Sequence, residues 1–208
     1  MPEDMVSQEQ VRDMTKLVQD LLTDQGADLV KTYFAERAGA TFNTIGANDP
    51  YAINEDDLLA VHMLNVPITP PMVRRLLQDA DIREEISGLL FEIHPCVPLW
   101  GDEAETALAK ADELWHVLDG VPDVGWVIAG KILARKRPHL IPVADERVWE
   151  YLKPKKGLFW ETLRSVFRQD GMPEEVDSAL RIEILRTPEM RARISTLRLL
   201  DIAVWMQG

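Results

Sequence analysis

Residues 119–148 read DGVPDVGWVIAGKILARKRPHLIPVADERV, and the fold turns on how this stretch is read. Gly120 and Gly125 bracket Val121-Pro122-Asp123-Val124, a space that fits only a tight turn. Upstream, Ala104 to Leu118 places Leu108, Ala111, Leu114, Trp115 and Leu118 at helical spacing. Downstream, Trp126 to Leu133 is apolar nearly all round, with Lys131 the exception, and predicts a buried helix. The expected order is helix, Gly-bounded hairpin, helix, then an extended apolar run ending in Asp145 ahead of another helix.

This order resembles the helix-hairpin-helix DNA glycosylase superfamily, whose hairpin reads Leu-Pro-Gly-Val-Gly and whose later motif reads Val-Asp-x-x-Val. Here the hairpin is Val121-Pro122-Asp123-Val124-Gly125 and the later motif Val143-Ala144-Asp145-Glu146-Arg147-Val148, with the family's interval from Gly125 to Asp145. About thirty residues carry the likeness. Three departures stand out: Asp123 occupies the middle hairpin Gly, Val127 the place of the lyase-type lysine, and Ala144 is an extra residue before the acid. The chain also resembles a bacterial domain family of unassigned function.

The resemblance implies a fold and a chemistry. The fold would be all-α, two helical lobes forming one compact unit over 1–208, with an acidic lobe at about 1–100 and the hairpin and motif lobe at about 101–208. Hairpin N–H groups at Gly120, Val124 and Gly125 would hold a DNA phosphate, as free helix N-terminal donors do. Lys131, Arg135, Lys136 and Arg137 would add backbone anchors. Asp145 would stand at the mouth of a pocket for a flipped nucleotide, stabilising positive charge on the sugar and orienting a water. With Val127 in the lysine position, a Schiff-base lyase step would be absent. The expected activity is therefore hydrolytic excision of a base from duplex DNA. The bland alternative is an ordinary αα-hairpin with Asp145 as an N-cap.

Composition frames these expectations. The chain has 208 residues, 46% of them hydrophobic, enough for a sizeable core. Met1 to Gln10 is polar and acidic, unlike a signal peptide, and no apolar run approaches the length of a membrane span. The single Cys96 fits a reducing cytoplasm, and the four scattered histidines give no metal-site spacing; neither cofactor nor metal is expected. Cys96 beside His94 could form a nucleophile pair, though a small buried thiol is the commoner role.

Net charge is −12, which opposes general nucleic-acid affinity, yet it is unevenly spread. Residues 1–120 carry −15, residues 121–208 carry +3, and 131–168 alone carry +6. This basic run either faces DNA phosphates or packs against the acidic N-terminal half, within one chain or between copies. A non-catalytic helix-hairpin-helix protein that binds nucleic acid or a protein partner, or self-associates through its oppositely charged halves, remains the alternative function.

The rest reads as helices. Met5–Leu22 and Leu29–Arg37 are amphipathic and separated at Gly26, and 39–50 is a loop, either a pocket cover or a connector. Asn54 caps a helix through Leu64, on whose apolar face His62 reads as a core histidine. Helices follow at 72–78, 81–93, 146–152, 158–168, 174–185 and 189–206. Trp126 and Trp149 either pack in the core or stack on a base.

Overall fold

The computed structural model describes residues 6–207. Among these it is all-helical, with twelve α-helices, two 3-10 turns and no strand. Local chemistry sets many of the helix starts. Ser7 and Gln10 form a capping box on α1 (Gln8–Leu21), and Asn54 and Asp57 form one on α3 (Glu55–His62). Thr69 caps α4 (Pro70–Gln78), whose two leading prolines are pre-set for a first turn, and Asp79 caps α5 (Ala80–Glu92). Met5, expected at the start of α1, lies outside the described residues.

The central pair is α6 (Ala104–Asp119) and α7 (Gly125–Lys136), which pack on each other across the hairpin. Helix α5 lies against α6, and α3 against α7. The other focus is the last helix, α12 (Thr196–Gln207), buried from Leu197 to Val204. It takes α2 (Asp24–Glu36), α8 (Glu146–Leu152) and α10 (Met172–Leu180) around it, while α1 rests mainly on α9 (Phe159–Phe167). The first two helices thus pack on the last ones, so the chain's acidic beginning and basic end share one interior.

Three expectations change. Gly26 does not separate two helices: α2 begins at Asp24 and runs through it. A Cβ there would lie 1.9 Å from the Leu21 carbonyl oxygen and 2.8 Å from Leu180, so glycine is required by close approach. The helix expected over 174–185 stops at Leu180, because Arg181 is extended and bonds back to Asp177 and to the Leu185 and Ile194 carbonyls. The last stretch is two helices, α11 (Pro188–Arg193) and α12, divided at Ile194-Ser195, where the Ser195 hydroxyl accepts the Arg198 N–H. Ser195 is an N-cap inside what reads as one helix.

Candidate functional site

The hairpin is built from the turn upward. Val121 and Val124 are buried and anchor it, with Gly120 N–H donating to His116 O and Val124 N–H to Val121 O. Asp123 and Gly125 both sit at positive φ, +68° and +58°. A left-handed residue is what the turn demands, and Asp adopts this region more readily than most L-residues. Its side chain is also occupied, accepting the Thr69 hydroxyl at 2.7 Å and tying the hairpin to the start of α4. Val124 offers no side-chain cap, so the first N–H groups of α7 at Gly125 and Trp126 lie at an exposed helix end.

The three cations of α7 and Arg137 at its C-cap do not face solvent, which corrects their expected use as phosphate anchors. Lys131, Arg135, Lys136 and Arg137 are all almost fully buried. Arg135 donates to the Phe42, Ile45 and Ala47 carbonyls and, through Nε, to Asp57 Oδ1 at 3.4 Å. Lys136 pairs with Asp57 Oδ2 and also reaches Asn48 Oδ1 at 3.1 Å and the Asp49 carbonyl at 2.8 Å. Among the described residues the hydrogen-bond partners of the Arg137 side chain are all carbonyls: Ile93, Pro50, Lys136 and Leu90. Burial lowers the pKa of all four, that of Arg137 to about 10. Arg135, Lys136 and, at Pro50, Arg137 hold the 42–50 loop, whose carbonyls have no secondary-structure ladder to satisfy them. The loop is a clamped connector, and the basic run packs against acidic Asp57 of the N-terminal half.

Asp145 lies beside the first of these cations, Lys131. Its Oδ1 accepts the Val148 N–H at 3.4 Å, so it does cap α8, while Oδ2 stands 3.9 Å from Lys131 Nζ. Lys131 also donates to the Leu64 carbonyl at 3.1 Å. The Asp145 side chain keeps 21% exposure, which leaves it accessible where the other site charges are not. Directly behind it, Val143 N–H donates to Asp201 Oδ2 at 3.0 Å. Asp201 pairs with Arg198, and Arg198 donates onward to Tyr33 Oη at 2.6 Å and Asn43 Oδ1 at 3.1 Å. Burial pushes Asp201 up to about 7, against the pull of Arg198 and of the Val143 N–H, with the Asp145 charge adding a smaller push.

Neither Arg198 nor Asp201 was singled out from the sequence. Their signal was there: two charges three residues apart in a helix otherwise apolar on every side. A charge in such a helix is paired or functional.

A pocket of about 1140 Å³ opens between α6, α7, α8 and α9, with Gly130, Ala144 and Glu146 in its wall; Asp145, between the last two in the chain, does not itself line it. Trp126 and Trp149 both line it, their rings edge to face at 6.3 Å, and Trp126 keeps 44% exposure. His62 and Cys96 are instead exposed, correcting their reading as core residues: His62 Nδ1 bonds the Val66 carbonyl, and Cys96 N–H donates to His94 Nδ1.

Among the described residues no helix is long and apolar enough to cross a membrane, and no cluster of His, Cys, Asp or Glu is arranged to hold a metal ion. Neither a curated protein nor a solved structure matches the chain. A family model described as a family of unknown function, DUF6308, matches residues 26–208, and the chain belongs to that family.

Proposed function

We propose that the protein is glycosylase-like, with Asp145 assisting hydrolysis of an N-glycosylic bond in duplex DNA and no lyase step. The observation that carries this reading is the placement of Asp145. It caps α8, one oxygen fixed by Val148 N–H and the other beside Lys131, with 21% of its side chain exposed and its chain neighbours Ala144 and Glu146 lining an aromatic pocket. An ionised carboxylate there stabilises positive charge as the C1′–N bond breaks and accepts a proton from the attacking water, whose oxygen forms the new C1′–O bond. The electron pair of the broken bond leaves with the base. Buried Lys131, 3.9 Å away, holds that carboxylate in place.

Phosphate contacts in this reading come from the α7 N-terminus and from the exposed loop after α8, where Lys153 and Lys156 stand, Lys156 at the pocket itself. A second reading, a non-catalytic helix-hairpin-helix protein, is favoured by Asp123: its carboxylate occupies the hairpin where a phosphate would approach.

The test is incubation with duplexes bearing modified bases, followed by alkali to reveal abasic sites. The expected result is alkali-dependent cleavage by the natural protein and none by Asp145→Asn at unchanged melting temperature. Excision that survives in Asp145→Asn, or strand cleavage without alkali, overturns the mechanism. Excision by neither protein leaves the non-catalytic reading.

A further inference from the structure

The pocket between α6, α7, α8 and α9 has a chemical character of its own. Four of the chain's six tryptophans line it: Trp115, Trp126, Trp149 and Trp160. They come from four different helices, and Phe159 extends the aromatic wall, its ring 5.8 Å from that of Trp149. Such a convergence is more than a core requires, because Trp126 is left substantially exposed at its edge.

The charged part of the lining is one-sided. Asp112, Asp119, Glu146, Glu150 and Glu161 contribute carboxylates, and Lys156 is the single lysine. Among the described residues no lysine or arginine lies within ion-pair distance of these five acids; Asp112 has only exposed His116, at 3.6 Å. Partial burial raises the Glu161 carboxyl against a backbone hydrogen bond, with the charge of Asp112 adding a smaller push, and an entering cation would offset both.

We propose that this pocket binds a small planar organic cation. Tryptophan faces attract cations through the negative charge of the ring face, most strongly where water is displaced. The apolar walls take the body of the ligand, and the carboxylates balance its charge without a buried unpaired ion. A neutral apolar ligand would leave these carboxylates without a counter-charge, and an anion would be repelled by them. This site requires neither DNA nor Asp145 chemistry.

The test uses the full chain and calorimetric titration with N-methylquinolinium and with neutral quinoline, two probes of the same shape that differ in charge. The expected result is binding of the cation about tenfold tighter than the neutral ring, in keeping with a desolvated cation–π contact. Trp126→Ala, at a partly exposed position that leaves the core intact, should weaken the cation, and Glu161→Gln should narrow the tenfold preference while sparing quinoline. Equal affinity for the two probes, binding of neither, or a preference that survives both substitutions overturns the proposal. Because Asp145→Asn should retain cation binding in full, failure of the excision reading leaves this result unaffected, and the reverse also holds.

Discussion

Asp57 carries the sharpest prediction about the fold. Its carboxylate is fully buried and is the counter-ion for both Arg135 and Lys136, and it also accepts the Asn54 N–H at 2.9 Å to close the capping box of α3. Asp57→Asn keeps the size of the side chain and an oxygen to accept that N–H, so the loss is almost purely one of charge. Two buried cations then face each other with carbonyls alone around them. Removing one member of a buried ion pair typically costs about 3–5 kcal/mol. That is a large share of the roughly 5–15 kcal/mol that holds a domain together.

For a chain of this size about 1 kcal/mol moves the melting temperature by ~2–4 °C, so the midpoint should fall by roughly 6–20 °C. The assay is thermal and urea unfolding followed by circular dichroism. Dependence on pH adds a second signature. Burial already lowers the Lys136 pKa, with Asp57 opposing it, and the variant lacks that opposition. The folded state of the variant therefore releases a proton that the unfolded state still holds, and stability rises with pH towards the ordinary lysine range. A loss below about 1 kcal/mol, or a deficit that grows with pH, would refute the assignment of Asp57 as the buried counter-ion.

Two further substitutions probe the site. Asp201 is pushed up to about 7 in the folded protein against an ordinary value of 3.8, so between those limits the folded state holds more protons than the unfolded one. The natural protein should lose stability relative to Asp201→Asn as pH rises from 5 to 8, measured by urea midpoints. The opposite slope would mean that pairing with Arg198 outweighs burial. Asp123→Gly removes a left-handed L-residue and a single hydroxyl bond, effects of opposite sign near 1 kcal/mol each, so stability should change by less than about that amount. The same change removes a negative charge from the hairpin, and DNA affinity should rise; an unchanged affinity excludes the hairpin as a phosphate contact.

The hairpin, α6, α7 and the cap at Asn54 were legible because each rests on a local rule: glycines around a four-residue turn, helical periodicity, and a polar side chain at a helix start. The break at Ser195 was obscured by apolar residues that continue the period on either side. The misreading of Arg135, Lys136 and Arg137 has a different origin. A basic run looks the same in sequence whether it meets phosphates or carbonyls, and their partners lie roughly ninety positions earlier, in the 42–50 loop and at Asp57. Charge reversal at Arg135 or Arg137 would consequently disrupt the interior rather than report on a DNA surface.

Position 145 was legible as an acid before a helix, and its role as the cap of α8 is what the geometry shows: one oxygen accepts the Val148 N–H while the other stands beside Lys131. The pocket was not legible, because the four tryptophans that line it are spread over α6, α7, α8 and α9 and meet only in three dimensions.

Binding to a duplex that carries an abasic-site analogue tests the glycosylase-like reading most directly, since that mimic resembles the product whatever base is removed. Fluorescence anisotropy at two salt concentrations, against an undamaged duplex of the same sequence, is the measurement. The account predicts tighter binding to the abasic duplex, weakening with salt as phosphate contacts require. Weak and equal binding to both duplexes would contradict it.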